Sequence, residues 1–460
     1  MKHYDAIVIG SGQAGTPLSR KLAESGMKTA LIERRFAGGT CVNDGCSPTK
    51  AMIASAKAAW VAKNSAELGV NTQQVNVDFT TVRKRKDEIV KRMRGNLEKG
   101  FANTKNLDVI YGNAAFSGNK EVSIQLNDGG EEVLTADLIF INTGLSPVVP
   151  DVAGISGINY LTSTTILDID EVPEHLLILG SGYIGLEFGQ MFTRFGAKVT
   201  ILEPSERILK HEDEDIAEAI TEILEKEDIE ILTNTKAVEF TKSKKDILVT
   251  VDSKGENRTI ECTHVLVATG RKPNTDQLEP EKSGIKVDEK GFISVNDELE
   301  TNVKGIYAIG DVKGGPAFTH ISYDDYRVVS NIVIDKKKDS IAGRQQPYCM
   351  FIDPQLGRVG ITEKEALEKG LDIQVYAMKN DSVARAIETG DTRGMMKAVV
   401  DTRSGKILGA AVLAEEGGEI VTAIELAIMG GLTFDQLRDG IFAHPTYSES
   451  LNNLFTEPVR

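Results

Sequence analysis

Two cysteines five residues apart are the most reactive groups in the sequence. Cys41 and Cys46 stand in the segment 38–50, just before a run whose apolar residues recur at helical spacing. Cys46 is therefore expected at or beside a helix N-terminus, where unpaired backbone N–H groups and the helix dipole stabilise a thiolate. Because the thiolate is the nucleophile of sulfur chemistry, the pair predicts a redox-active dithiol.

Other uses of a cysteine pair fit this chain less well. The sequence holds 4 cysteines in all, whereas structural disulfides are typical of cysteine-rich secreted domains. A metal site would need third and fourth ligands that the motif does not supply. The other two cysteines, Cys262 and Cys349, have no partner in a motif and are expected to be buried in the core.

A glycine-rich turn occurs twice in the chain. Residues 10–15 read Gly-Ser-Gly-Gln-Ala-Gly and residues 180–185 read Gly-Ser-Gly-Tyr-Ile-Gly, while Glu33 recurs as Glu203, all at the same offset of 170 residues. Each turn follows a short apolar strand and precedes a helical pattern, and each glutamate ends a second strand, as in a dinucleotide fingerprint. The chain is therefore predicted to bind two dinucleotides. The glycines expected to contact them are Gly10, Gly12 and Gly15 in the first turn and Gly180, Gly182 and Gly185 in the second.

The roles of these residues follow from the chemistry of a pyrophosphate and a ribose. The first glycine makes the turn, the second lets the backbone approach the pyrophosphate, and the third lets the helix pack on the strand. The glutamate accepts a hydrogen bond from a ribose hydroxyl. Glu203 thus predicts a preference for NADH, although Arg207 and Lys210 lie close enough in sequence to weaken it.

Three more strands are predicted to end at groups that suit a ligand. Two of them stop at the pairs 143–144 and 269–270, where a glycine lets the backbone come close to a bound molecule. The third ends at Asp311, which is expected either to reach a cofactor or to make a simple turn. From about residue 346 short strands alternate with amphipathic helices, which indicates a separate C-terminal domain.

Composition excludes several classes of protein. The 460 residues are 41% hydrophobic and 26% charged, as in a globular chain of about three domains. A net charge of −15 argues against nucleic acids and anionic membranes as partners. No apolar run approaches the ~20 residues that span a bilayer, and residues 4–10 predict a first strand and not a signal peptide, so a cytoplasmic location is expected. The basic runs 83–86 and 336–338 are expected to be solvated.

Taken together, these motifs resemble those of the flavoprotein disulfide reductases, the family of glutathione reductase, dihydrolipoamide dehydrogenase and mercuric reductase. The likeness covers essentially the whole chain and extends to residues 268–274 and 444–449. It implies an α/β fold with two Rossmann-like dinucleotide-binding domains and a C-terminal α+β dimerisation domain. FAD would occupy the first fingerprint and NADH or NADPH the second, in a homodimer. The implied divisions are 1–147 and 273–345 for FAD binding, 148–272 for NAD(P) binding and 346–460 for dimerisation. Further cofactor contacts implied by the resemblance are Gly39, Thr40, Lys50, Thr143, Gly144, Gly270 and Asp311.

The resemblance also implies roles around the flavin. Cys46 would be the flavin-proximal thiolate and Cys41 the thiol that attacks the substrate. Lys50 and Glu187 would pair beside the flavin. Tyr183 would cover the nicotinamide pocket, with a packing role as its alternative.

A histidine near the end of the chain completes the implied catalytic set. His444, oriented by Glu449, would act as acid and base from the other subunit. The spacing of Thr446 and Glu449 also matches a capping box, so Glu449 could serve chiefly to start the last helix.

Several short sequence segments restrict the range of substrates that we expect. Residues 318–327, 385–386, 391–394 and 437–444 resemble most closely the reactive-chlorine-resistance flavoproteins and the hypothiocyanous acid reductases. Residues 455–460 lack the cysteine pair with which mercuric reductases hand over metal, which argues against mercury. The expected substrate is a small oxidant, and hypothiocyanous acid is the best candidate. Reduction of Cu(II) is expected as an accompanying activity. Mercuric reductase, dihydrolipoamide dehydrogenase and a non-catalytic flavin-binding sensor are the alternatives.

Two residues near the expected flavin site could affect the chemistry of the dithiol or of the flavin. Asp44, between the two cysteines, is an acid that would oppose thiolate formation. His320 is expected either to tune the flavin or to pack.

Overall fold

The chain folds into two units in a computed structural model that describes residues 1–460. The first unit comprises Met1–Ala51, Arg83–Val148 and Gly270–Arg344. The second comprises Met52–Val82, Val149–Thr269 and Gln345–Arg460. The predicted α/β architecture is confirmed. The division into FAD-binding, NAD(P)-binding and dimerisation segments stays a prediction.

Helices and strands account for most of both units. The helices are α1 (Gly15–Glu24), α2 (Gly39–Asn43), α3 (Cys46–Asn64), α4 (Phe79–Ala102), α5 (Tyr183–Phe195), α6 (Glu214–Glu225), α7 (Thr319–Val333), α8 (Glu363–Glu368), α9 (Ala384–Thr389), α10 (Gly417–Met429), α11 (Phe434–Arg438) and α12 (Ser450–Leu454). The strands are β1 (Lys2–Ile9), β2 (Thr29–Glu33), β3 (Leu107–Gly118), β4 (Glu121–Leu126), β5 (Glu131–Ile141), β6 (Leu145–Pro147), β7 (Leu161–Thr162), β8 (His175–Leu179), β9 (Lys198–Leu202), β10 (Ile229–Leu232), β11 (Thr235–Lys242), β12 (Ile247–Ser253), β13 (Glu256–Cys262), β14 (His264–Val267), β15 (Arg271–Pro273), β16 (Ile306–Ala308), β17 (Tyr348–Met350), β18 (Gln355–Gly360), β19 (Ile373–Lys379), β20 (Met395–Asp401) and β21 (Ile407–Ala414).

A mainly parallel sheet forms the centre of the first unit. Strand β1 pairs in parallel with β2 on one side and β5 on the other, and β3 and β16 extend the parallel set outward. Strand β1 is apolar on both faces: Ile7 and Ile9 join one hydrophobic cluster, whereas Ala6 and Val8 join another. Such a continuous apolar run is what a strand covered on both faces requires.

The second unit repeats this arrangement in the same register. Strand β8 pairs in parallel with β9 and β14, and Leu179 lies opposite Leu202 as Ile9 lies opposite Ile32 in the first unit. The two glycine turns therefore leave their strands at equivalent points. Both turns stand at the carboxyl edge of a parallel sheet, where ligands of such sheets bind.

The C-terminal part of the second unit is antiparallel. Its five-stranded sheet runs in the order β17-β18-β21-β20-β19, and α10 and α12 pack against it through a core that includes Ile424 and Leu454. None of the helices in the protein combines the length and the apolar composition needed to cross a membrane.

Two expectations about burial are wrong. Cys349 is half-buried and does not belong to the core, whereas Cys262 is buried, which raises the pKa of its thiol to about 12. Lys86, in a basic run expected to be solvated, is buried on α4, where its ammonium lies 2.6 Å from Asp87.

The first glycine turn is tied to its sheet by one buried amide. The Asn142 side chain accepts a hydrogen bond from the Gly15 N–H at 3.0 Å and donates one to the Ile309 carbonyl at 3.0 Å. It thereby connects the start of α1 with the ends of β5 and β16. In the second unit the equivalent place is taken by Ala268, which has no such groups.

Replacing this amide should destabilise the first unit. Asn142→Ala leaves a buried N–H and a buried carbonyl without partners, which should lower the free energy of unfolding by about 2–4 kcal/mol. Urea unfolding measures the effect, and Asn127→Ala is the control because the Asn127 amide is exposed and donates one hydrogen bond, to Arg34 O. Equal midpoints for the two variants would contradict the role given to Asn142.

Candidate active site

The two cysteines lie on either side of a break between helices. Helix α2 ends at Asn43, and α3 begins at Cys46, as the sequence predicts. A Cβ on the intervening Gly45 would lie 2.8 Å from the Thr40 carbonyl oxygen, too close for any residue but glycine. The break therefore brings Cys41 back beside Cys46, and the two side chains form a hydrogen bond.

This contact makes the two thiols unequal. The pKa of Cys41 is raised, first by its hydrogen bond to Cys46, then by burial and by the charge of Cys46. The positive charge of Lys50 and a hydrogen bond from Thr319 act in the opposite direction. The raised pKa favours the protonated form of Cys41, and Cys46 lies at the N-terminus of α3.

Thr319 is a residue of this site that sequence reasoning does not single out. Its hydroxyl oxygen lies 3.5 Å from the Cys46 sulfur, although the two residues are 273 positions apart. Thr319 is the first residue of α7. Its only signal in the sequence is that it lies within residues 318–327, one of the segments that resemble the reactive-chlorine-resistance flavoproteins. That resemblance assigns no function to the Thr319 hydroxyl.

The acid between the cysteines is neutralised locally. The Asp44 carboxylate pairs with the Arg35 guanidinium at 3.0 Å, and Asp44 is not among the groups that shift the pKa of Cys41. The expected opposition of Asp44 to thiolate formation is therefore compensated by Arg35. His320 stacks on Phe318 with ring centroids 5.5 Å apart, which gives it a packing partner.

The first glycine turn is closed by a buried carboxylate. Gly10 has φ of +101°, a conformation that glycine adopts without strain, and a Cβ on Gly15 would collide with the Gly10 carbonyl. Glu33, at the end of β2, accepts hydrogen bonds from the Ser11 N–H at 2.9 Å and the Ser11 hydroxyl at 2.7 Å. The Arg35 N–H donates to its other oxygen at 2.8 Å.

The second turn has the same construction, residue for residue. Gly180 also has φ of +101°, and a Cβ on Gly185 would collide with the Gly180 carbonyl. Glu203, at the equivalent place after β9, accepts from the Ser181 N–H at 3.3 Å, from the Ser181 hydroxyl and, through its other oxygen, from the Ser205 N–H at 2.8 Å. The duplication seen in the sequence is therefore a duplication of geometry.

Both turns have features that bound nucleotides would explain. A Cβ on Gly182 would meet nothing within 4 Å, and its φ of −71° suits any residue, so no neighbour within the protein requires glycine there. A pyrophosphate that approaches the backbone does require it. In the first unit the Thr143 hydroxyl is buried without a hydrogen-bond partner, which leaves a polar group for a ligand to satisfy. The residues present thus fit two dinucleotides.

The remaining predicted cofactor contacts lie at the same edge of the first sheet. Gly39, with φ of +61°, packs so closely that a Cβ would lie 2.7 Å from the Gly12 Cα. Asp311 follows β16, and burial raises the pKa of its carboxyl, against the opposing effects of Arg271 and a hydrogen bond from Ser322 at 3.3 Å. Thr40 precedes the dithiol on α2, and Gly144 and Gly270 flank the strands β6 and β15.

Helix α5 carries Tyr183 and Glu187 one turn apart in the second unit. Tyr183 is its first residue and is 39% exposed, as a residue that covers a ligand pocket would be. Glu187 is buried and accepts a hydrogen bond from the Phe351 N–H at 2.8 Å. Further along this face Gln190 exchanges two hydrogen bonds with the Asp353 backbone. The predicted pairing of Glu187 with Lys50, a residue of the first unit, stays a prediction.

His444 and Glu449 contact each other as expected for an acid–base pair. The His444 Nδ1 atom lies 2.8 Å from Glu449 Oε2. The Glu449 N–H donates to the Thr446 hydroxyl at 3.2 Å, but α12 begins at Ser450 with Glu449 at its N-cap and no side-chain cap hydrogen bond, so the capping box predicted for the start of the last helix is wrong. The Glu449 carboxylate faces the histidine. His444 is two-thirds exposed, with its side chain 66% accessible in the single chain.

Comparison with known proteins agrees with this geometry. The profile of the pyridine nucleotide-disulphide oxidoreductases matches residues 4–325, and the profile of the dimerisation domain of the same family matches residues 346–455. This chain belongs to that family. The probable pyridine nucleotide-disulfide oxidoreductase RclA of Escherichia coli K12 is 40% identical over 99% of both chains. The mercuric reductase of Staphylococcus aureus is 37% identical over 89% of this chain and 74% of its own.

A solved structure extends the similarity to three dimensions. The Cu(II) complex of the HOCl-induced flavoprotein disulfide reductase RclA from Escherichia coli superposes with a TM-score of 0.90, covering 99% of each chain at 38% identity. The protein is therefore an oxidoreductase that uses FAD and NAD(P)H, and its matched dimerisation domain supports a homodimer.

The environment of Glu203 predicts a preference for NADH over NADPH. A carboxylate at this position accepts from the 2′-hydroxyl of the adenine ribose and repels a 2′-phosphate. Arg207 is occupied, because its guanidinium donates to the carbonyls of Lys210 and Glu212 at 3.4 and 3.0 Å. Glu203→Ala should lower kcat/KM for NADH by about 10- to 100-fold and affect NADPH less.

Steady-state kinetics with both nucleotides test this preference. Glu206→Ala, at an exposed neighbouring carboxylate, is the matched control. A higher kcat/KM for NADPH than for NADH in the unmodified enzyme would show that Glu203 does not select the nucleotide.

Proposed function

We propose that this enzyme reduces a small electrophilic oxidant, best hypothiocyanous acid, at Cys41, with electrons from NADH. The observation that carries the proposal is the contact between Cys41, whose pKa is raised by its hydrogen bond to Cys46, and Cys46, which is the first residue of α3. The similarity to RclA, whose structure is described as HOCl-induced, supports an oxidant of the reactive-chlorine type. Such an oxidant needs only an accessible sulfur nucleophile and a proton donor.

The chemistry balances with the two cysteines and one histidine. His444 takes the Cys41 proton, and the Cys41 sulfur attacks the sulfur of hypothiocyanous acid. The S–O bond breaks, and the departing hydroxide takes the proton from His444 and leaves as water. The Cys46 thiolate then attacks the Cys41 sulfur, and thiocyanate leaves as the disulfide forms. The dithiol loses two electrons and the oxidant gains two.

Residues of both glycine turns would hold the cofactors that restore the dithiol. Glu33 and the first turn would hold FAD, together with Asp311, and Glu203 and the second turn would hold the nicotinamide nucleotide. FAD, when bound, supplies the route by which the two electrons of NADH reach the disulfide. Overall, NADH and the disulfide would give NAD⁺, one thiolate and one thiol. The contact between Cys41 and Cys46 favours this protonation state of the pair.

The proton donor is proposed to come from the partner subunit. The His444–Glu449 pair fixes the imidazole through Nδ1 and leaves Nε2 to exchange protons. Leu426, Met429 and Ile441, in the dimerisation domain, are all more than half exposed in the single chain, as an apolar subunit interface would be before assembly.

Reduction of Cu(II) is a second candidate. The specific observation is that the similar RclA structure is described as a Cu(II) complex. Oxidation of the dithiol to the disulfide would convert two Cu(II) ions to Cu(I) and release one proton. The same cofactors would restore the dithiol.

NADH oxidation by the purified holoenzyme tests the substrate. Hypothiocyanous acid should be turned over with the highest kcat/KM in a panel that also holds Cu(II), Hg(II), lipoamide and oxidised glutathione. Cys41→Ser should lower this turnover by about 10³-fold or more, because the attacking sulfur is lost. Cys262→Ser is the control, since that thiol is buried elsewhere.

The panel also identifies the competing functions. Efficient turnover of Hg(II) or lipoamide with negligible hypothiocyanous acid reduction would assign the enzyme to the mercuric reductases or the dihydrolipoyl dehydrogenases. Tight cofactor binding without turnover of any oxidant would indicate a sensor.

Mixing inactive subunits tests the shared site. Cys41→Ser and His444→Ala homodimers should each be inactive, and subunit exchange should restore about a quarter of the original activity, since half of a random mixture is heterodimer with one intact site. Native mass spectrometry verifies the exchange. Full exchange without recovered activity would place His444 in the same subunit as its dithiol or outside the reaction.

A further inference from the structure

We propose that Thr319 is a positioning residue of the dithiol, whose hydroxyl donates a hydrogen bond to the Cys46 thiolate and so holds the pair in its reactive protonation state. The inference rests on the proposed dithiol chemistry and deepens it, because it names a group that sets which sulfur is charged. It is carried by the 3.5 Å contact between Thr319 Oγ1 and Cys46 Sγ.

The geometry of α7 directs the hydroxyl to the sulfur. Thr319 is the first residue of this 15-residue helix, and the helix has no side-chain cap hydrogen bond at its N-terminus. Cys46 is likewise the first residue of its own helix, α3. The first residues of the two helices therefore contact each other through the Cys46 sulfur and the Thr319 hydroxyl, and the partial positive charge of a helix N-terminus favours an anion.

A hydroxyl is suited to a pair that shares one proton. It has one proton that it can donate to a thiolate, while the Cys41 thiol uses its own proton in the hydrogen bond to Cys46. A hydrogen bond from the Thr319 hydroxyl also lowers the pKa of Cys41, whereas the contact with Cys46 raises it. Lys50, on the next turn of α3, adds a positive charge that likewise lowers the pKa of Cys41.

The alternative is that Thr319 only shapes the start of α7. A valine has nearly the shape of threonine and lacks the hydroxyl, whereas a serine keeps the hydroxyl and lacks the methyl group. Thr319→Val and Thr319→Ser therefore separate hydrogen bonding from packing. Thr221→Val is the matched control, because the Thr221 hydroxyl bonds only to the Ala217 carbonyl within α6.

The measurement is the pH dependence of iodoacetamide alkylation at Cys46 in the NADH-reduced holoenzyme, read by tandem mass spectrometry. Loss of a donor to a thiolate raises its pKa, so Thr319→Val should move the midpoint upward by about one pH unit, equal to about a tenfold loss in thiolate fraction below the midpoint. The long-wavelength absorbance between thiolate and flavin should fall in parallel. Thr319→Ser should restore the midpoint, and Thr221→Val should leave it unchanged.

The outcomes separate this inference from the proposed function, because alkylation needs no oxidant. An unchanged midpoint in Thr319→Val, with FAD retained, would overturn the role of Thr319 even if hypothiocyanous acid is reduced. A shifted midpoint without hypothiocyanous acid turnover would uphold Thr319 and reject the substrate. If Thr319→Val fails to retain FAD, the comparison of Thr319→Ala with Thr319→Ser decides: a shift in the alanine variant alone supports the hydroxyl, and equal midpoints reject it.

Discussion

The hydrogen bond between Cys41 and Cys46 is the interaction that the local structure of the candidate active site makes possible. It requires two sulfur atoms five residues apart to meet, which a continuous helix would prevent. The chain meets this requirement by ending α2 at Asn43 and restarting as α3 at Cys46, with Gly45 where a side chain would strike the Thr40 carbonyl. The same break makes Cys46 the first residue of α3, where the helix dipole favours a thiolate, so one local feature both brings the thiols together and gives them different surroundings.

The nucleotide sites show how one construction is used twice with a single change. In both turns a serine and a glutamate close the loop, and in both the third glycine packs against the carbonyl of the first. Only the first turn is further tied to the adjoining strands, by Asn142. These two hydrogen bonds tie the turn to its sheet in the unit that also contains Cys41 and Cys46.

The second unit holds its functional helix by hydrogen bonds on one face. Glu187, Gln190 and Arg194 of α5 all bond to the segment that contains Phe351 and Asp353. Tyr183 remains exposed at the start of the helix. These three buried polar side chains are thus paired within the unit.

Local sequence patterns were enough to predict what depends on near neighbours: the strands around each glycine turn, their common offset, and the helix start at Cys46. Periodicity and turn chemistry act over a few residues, and two copies of one pattern leave little ambiguity. Tertiary structure alone decided that Thr319 lies against Cys46, that Arg35 neutralises Asp44, that Lys86 is buried and that Cys349 is not. The contact of Thr319 with Cys46 depends on remote segments that the fold brings together, and the other three facts depend on side-chain packing that periodicity and turn chemistry do not encode.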